Sequence, residues 1–405
     1  MNRRAPLALL VVWASVLAAG CDGARDPSES RTVNPTSVTS ETKPVIAPTE
    51  GTTERQTIPI GVGGRVQGIS AVLTFSNTSV QAHAGDELDF RMPDTEGDDP
   101  HTVTFGTLVE PGINTPEGSR KLPEVFPRKA PDASLQANQS AAQPCYLTTG
   151  LPPIALEGGA PACEKRVQPD FTGTETFYNS GLLLPGDRFE VRIAASAKPG
   201  KYQFMCLVHG GRMTGTLTIA DASVPVPRAA EVEQQGRQIT QGLAFRAAQG
   251  RDRPTAARQM LAGVVGQNLP NTYLAEFVPS RLSVVAGETV SFDVVVAHSI
   301  SFNATEDDFG LIRRSPDGTV ALNPRAFVPV DSPTPPPSFT NYLPVLTSGV
   351  VLPTTTFDGR GFKSSGLLSV DPPGTVSYRV TFTSPGTYEV RCLVHKDMRA
   401  QIIVA

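Results

Sequence analysis

A chain of 405 residues, 39% hydrophobic and 18% charged, is long enough for two or three domains and apolar enough to give each a core. Its formal charge of −4 argues against the basic face that a nucleic-acid-binding protein sets against phosphates. With 36 Gly and 37 Pro it favours loop-rich β structure, and with only five histidines it confines any metal chemistry to a few explicit ligand sets.

The chain opens Met1-Asn2-Arg3-Arg4, runs apolar from Ala5 to Ala19 and continues Gly20-Cys21-Asp22. A basic start, an apolar stretch of about 15 residues and small residues before a break read as an export signal over residues 1–20, too short to persist as a membrane-spanning helix. The segment Leu17-Ala18-Ala19-Gly20-Cys21 resembles a bacterial lipobox, which implies acylation of Cys21 and a lipid anchor in the cell envelope, on the periplasmic side or at the cell surface. Residues 21–55 are rich in Ser, Thr and Pro with few large apolar residues, so they read as a disordered tether reaching about 30 Å.

Beyond the tether the sequence repeats itself. Phe75 and Ala84-Gly85-Asp86-Glu87-Leu88-Asp89-Phe90 match Phe277 and Ala286-Gly287-Glu288-Thr289-Val290-Ser291-Phe292 at a constant offset of 202. The segments 101–105 (HTVTF) and 298–302 (HSISF) correspond, as do 179–183 (NSGLL) and 364–368 (SSGLL), and finally 199–209 (PGKYQFMCLVH) and 385–395 (PGTYEVRCLVH) at an offset of 186. Four matched segments in one order describe a duplication, with loop insertions lengthening the first copy. Tyr202, Phe204 and Cys206 alternate after a Pro-Gly turn, as do Tyr388, Val390 and Cys392, so these segments read as strands. The pattern predicts two antiparallel β-sandwich domains, 56–222 and 271–405. Between them lies a linker, 223–270, whose Ala/Gln/Glu/Arg-rich part (229–266) reads as one or two helices interrupted by Gly236, Gly242 and Pro254.

Each copy carries the same chemistry-bearing residues: Cys206-x-x-His209-x-x-x-Met213 with a remote His101, and Cys392-x-x-His395-x-x-Met398 with a remote His298. A thiolate, two imidazoles and a weak thioether are the donors of a blue copper site, where soft sulfur favours Cu(I) and imidazole suits both oxidation states. The motif His-[Thr/Ser]-[Val/Ile]-x-Phe, followed by Pro-Gly-x-Tyr-x-x-x-Cys-x-x-His and Met, resembles the plastocyanin/azurin group of cupredoxins across both repeats. That resemblance implies an all-β fold of two tandem Greek-key sandwiches and two type 1 coppers per chain. Their ligands would be His101, Cys206, His209 and Met213 in one domain and His298, Cys392, His395 and Met398 in the other. It also implies that His209 and His395 are the ligands nearest the surface. The His-to-Cys spans are longer than in a small plastocyanin, and the two Cys-to-Met loops differ by one residue.

The remaining residues complete the inventory. Cys145 and Cys163 lie only in the long insertion of the first copy, and in an oxidising compartment they read as a disulfide. His83, Met92 and Met205 read as packing or surface residues. The resulting expectation is an envelope-anchored one-electron carrier between redox partners such as a cytochrome or a terminal oxidase, with a copper-storage or copper-delivery protein as the alternative. A two-domain copper oxidase would need further histidines for a second copper centre. The expectation is therefore no enzyme, no small-molecule substrate and no nucleic acid.

Overall fold

The computed structural model describes residues 51–66, 70–94, 99–109, 122, 125, 139–142, 169–266, 269–314, 320–330, 348–370 and 374–405. The signal, Cys21, most of the tether, and Cys145 and Cys163 lie outside the described residues.

Two main sheets form each half, and the second half adds two strand pairs, Val296–His298 with Leu368–Val370 and Ile312–Arg314 with Val320–Leu322. In the first, Thr57–Gly61, Glu87–Arg91 and Arg188–Arg192 make one sheet. The second sheet runs Ser79–His83, Gly210–Ala220, Gly200–Cys206, Thr104–Phe105, Tyr178–Asn179. Arg188–Arg192 shows why the sequence pattern works: Phe189 and Val191 are buried while Arg188, Glu190 and Arg192 are exposed, the two-residue period of a half-covered strand. The second half repeats the order. Arg281–Val284, Arg399–Val404, Gly386–Arg391, Ser301–Phe302 and Lys363–Ser364 form its site-bearing sheet.

The facing sheet of the second half differs from expectation. It has seven strands, in which Leu269–Val278 pairs antiparallel both with Gln259–Gly266 and with Ser70–Val72 of the first half. The two sandwiches are therefore welded by backbone hydrogen bonds. They are also mixed rather than antiparallel: Thr57–Gly61 runs parallel to Glu87–Arg91, and Ser79–His83 parallel to Gly210–Ala220, with the same parallel pairs in the second half. Side-chain alternation fixes which face of a strand is buried, and it is silent on the direction of the neighbouring strand.

The linker also departs from the sequence reading. One helix, Ala229–Ala248, passes through Gly236 and Gly242 and ends in a 3-10 turn, Gln249–Asp252, while residues 259–266, expected to be helical, are a strand. Gly236 does not break the helix because the helix lies close to the first domain there. A Cβ at this position would come within 2.5 Å of Asn77 Oδ1, so the glycine permits the approach.

Aromatic rings fill both cores. Phe204 sits among Phe75, Phe90 and Phe105 with centroids 4.8, 5.4 and 5.0 Å away. The Pro-Gly-x-Tyr motif gains a physical explanation: Tyr202 donates its hydroxyl to Lys198 O and Tyr388 to Ser384 O, both at 2.8 Å. Each ring thus ties the start of its strand to the preceding turn. His83 is a packing residue, its Nε2 2.8 Å from Val224 O, and Met92 and Met205 are buried. Phe204→Ala should cost the first domain about 3–5 kcal/mol. A lowered urea midpoint of the full chain is the measurement that checks it.

Candidate metal centre

In the first half the strand Gly200–Cys206 ends on the cysteine, turns through His209 and returns as Gly210–Ala220. The pairing slips between Gly210 and Thr214, and Met213, inside that irregular stretch, is fully buried. His101 is brought opposite by reciprocal backbone hydrogen bonds with Leu183, the last residue of the repeated Ser-Gly-Leu-Leu segment. Cys206 Sγ then lies 3.8 Å from His101 Nδ1 and 3.5 Å from His209 Nδ1.

The second half builds the same cluster. His298 pairs with Leu368, and Cys392 Sγ is 3.7 Å from His298 Nδ1 and 3.6 Å from His395 Nδ1. The turn is closed by Met398 N–H donating to His395 O and Cys392 N–H donating to Met398 O, with the Met398 side chain buried.

A pair of ties locks the histidine strand to the cysteine turn in each half. The Thr102 N–H donates to Cys206 Sγ at 3.3 Å, and Thr102 Oγ1 accepts from Leu207 N–H at 2.7 Å. Ser299 does the same, donating to Cys392 Sγ at 3.4 Å and accepting from Leu393 N–H at 2.7 Å. One residue on, Val103 and Ile300 donate their N–H groups to Ser180 Oγ and Ser365 Oγ. The [Thr/Ser] after each histidine and the Ser of each Ser-Gly-Leu-Leu segment are thus structural parts of the site. The repeat had already exposed their positions, though not their purpose.

Two glycines hold the far edge of the remote imidazoles, and sequence reasoning missed both. A Cβ at Gly63 would fall 2.0 Å from His101 Nε2, and one at Gly263 2.4 Å from His298 Nε2. Both glycines have positive φ, +60° and +81°. The bare backbone at these points leaves the ring room to turn its Nδ1 toward the thiol. Their similar placement in the two halves was the available signal.

The electrostatics of the two clusters differ. In the first, burial pushes His101 down to about 3 and His209 down to about 4, and raises the Cys206 thiol. In the second, burial opposes charge as well, yet Asp99 and the Cys392 sulfur raise His395 to about 9. The hydrogen bonds and charges of His298 and His395 hold Cys392 well below the usual thiol range despite its burial.

The donors fit one ion in each half. Atoms each about 2.0–2.3 Å from a shared metal stand roughly 3–4.5 Å apart, and the sulfur-to-nitrogen distances fall in that range. One sulfur and two imidazole nitrogens are the donor chemistry of copper–thiolate centres. Among the described residues these are the two groups of His, Cys, Asp or Glu able to hold an ion. The exposure of the ligands departs from expectation: His209 is half-buried, but His395 is fully buried. Asp99 and Tyr273 cover its outer nitrogen, and neither residue had a counterpart in the other repeat to draw attention to it.

No family model and no curated protein matches the chain. Solved structures do. A dithionite-reduced auracyanin from the photosynthetic bacterium Roseiflexus castenholzii is 17% identical, covering 41% of this chain and 97% of its own, with a TM-score of 0.22. An amicyanin from Paracoccus versutus is 16% identical over 38% of this chain and 88% of its own, with a TM-score of 0.17. A blue copper oxidase from Nitrosomonas europaea is 11% identical over 87% of this chain and 86% of its own, with a TM-score of 0.19. No helix among the described residues is long and apolar enough to cross a membrane.

Gly63→Ala should displace His101 and weaken metal binding at the first cluster alone, and Gly263→Ala should act likewise on the second. Metal titration of each variant checks this. In the metal-free protein the unfolded chain binds a proton at residue 101 near pH 6.5, whereas the folded protein resists until about 3. The unfolded state therefore holds more protons between those values, and stability falls as pH drops through them. The contribution of His101 should reach on the order of 3 kcal/mol by pH 4. It is measured as the difference in pH dependence of the urea midpoint between the parent and His101→Gln.

Proposed function

We propose that this chain is a one-electron carrier with a type 1 copper in each half, bound by His101, Cys206, His209 and Met213 and by His298, Cys392, His395 and Met398. The observation that carries the reading is the recurrence of one donor geometry at the end of the same strand pair in both domains. Copper so bound supplies a centre that alternates between Cu(I) and Cu(II) with a thiolate coupling it to the chain. The protein's own part is to hold the donors still. The thiol is fixed by the Thr102 or Ser299 N–H, and the remote imidazole is seated on glycine backbone. Donors that are positioned before the metal arrives change little between oxidation states, which suits electron transfer.

Storage or delivery of copper shares the same ligands but needs a metal that leaves readily. The complete burial of His298, Cys392 and His395 favours retention over exchange. The reading includes no substrate chemistry: four of five histidines serve the two sites, and His83 is engaged with Val224. It places the protein on a lipid anchor at Cys21 in the bacterial envelope. There it would exchange electrons with a cytochrome or a terminal oxidase, and a Cys145–Cys163 disulfide would pin the long insertion.

Copper titration with visible absorption and electron paramagnetic resonance tests the proposal. Two Cu(II) per chain with intense sulfur-to-copper charge-transfer bands are expected, and Cys206→Ala and Cys392→Ala should each abolish one centre and spare the other. Stoichiometry below one copper, or spectra unchanged in both variants, would overturn it. Oxygen uptake by the loaded protein with a reducing substrate would transfer it to the oxidases.

A further inference from the structure

Asp99 belongs to the first domain by sequence, two residues before His101, yet its side chain serves the second. Its Oδ1 lies 3.5 Å from His395 Nε2, and its Oδ2 accepts a 2.6 Å hydrogen bond from the Tyr273 hydroxyl. The same hydroxyl is 2.9 Å from His395 Nε2. Asp99, Tyr273 and His395 are all buried, so these contacts are shielded from water. They engage the nitrogen of His395 opposite the one that faces Cys392 Sγ.

The first site has no such arrangement. The second copy places Val296 where the first has Asp99, two residues before its remote histidine. Asp99, Val296 and His209 all help to line one cavity of about 110 Å³, so the carboxylate lies in the neighbourhood of both sites. Its close contacts are with His395 and Tyr273, and among the described residues no carboxylate stands within ion-pair distance of His209. The duplication has therefore diverged at one position, and the difference acts across the domain interface. A carboxylate on the outer nitrogen of a ligating imidazole fixes which ring nitrogen faces the metal, orients the ring and raises its basicity.

We propose that Asp99 is a positioning residue for the second copper site, so that this site is completed by the first domain and favours Cu(II) more than the first site does. The proposal rests on the two-copper reading above. A fixed negative charge beside His395 stabilises the more positive oxidation state, and the ring held by Asp99 and Tyr273 presents Nδ1 to the thiol without searching for its orientation. The strand Leu269–Val278, which carries Tyr273, pairs with Ser70–Val72 of the first domain, so the tyrosine that bridges the carboxylate and the imidazole is itself anchored at the junction.

The test uses the full chain with one site deleted at a time. In a Cys206→Ala background, which retains only the second site, Asp99→Asn should weaken Cu(II) binding about 10–100-fold. It should also raise that site's reduction potential and shift its charge-transfer band. Tyr273→Phe, which keeps the carboxylate and the ring packing, should weaken binding by a smaller factor. In a Cys392→Ala background, which retains only the first site, Asp99→Asn should weaken binding far less, because the direct contacts of Asp99 are with His395 and Tyr273 and not with His101 or His209. An unchanged affinity and potential at the second site, or equal losses at both, would overturn the assignment of Asp99 while leaving the copper reading intact. If neither single-site parent binds copper, the copper reading fails and this inference fails with it.

Discussion

The structure depends on a short double tie between two chain segments far apart in sequence. The residue after each remote histidine donates its N–H to the cysteine sulfur, and its hydroxyl accepts from the N–H that follows the cysteine. The two bonds fix the strand that carries one imidazole against the turn that carries the thiol and the other imidazole. Both are bonds between protein groups, so folding itself contributes to assembling the cluster. A hydrogen bond to a buried sulfur also satisfies an acceptor that would otherwise be left without a partner in an apolar core.

Around this tie the sandwich acts as a frame. The aromatic clusters hold the sheets together, and the tyrosine hooks at Tyr202 and Tyr388 set where each cysteine strand begins. Because Cys206 and Cys392 terminate those strands or lie just past them, a fixed strand start fixes the thiol. Packing is thereby converted into ligand geometry.

The two halves share this plan but not their surroundings. The seven-stranded sheet makes them a continuous structure, and one of its strands carries Tyr273, which with Asp99 covers His395. The first site keeps a half-buried His209 beside a small cavity, whereas the second is closed. Two sites made from one repeat are therefore given unequal charge and access by the way the repeats are joined. Arg314 of the second half extends the same junction, reaching Asp187 and the carbonyl of Leu182 in the first.

The sequence by itself determined the duplication, the β character and the two repeated His/Cys/His groups, because repeated motifs and two-residue alternation are local and survive without knowledge of neighbours. His101, Cys206 and His209, and likewise His298, Cys392 and His395, were legible as groups and do converge. The direction of strand pairing was not legible, nor was the helix that continues through Gly236, nor the seats at Gly63 and Gly263. Only the tertiary structure decided that His395 is covered rather than exposed and that its partner comes from the other domain. Asp99 lies 296 positions from His395 in the sequence. No periodicity or motif links residues so far apart, and their contact exists only because the two domains pack against each other there.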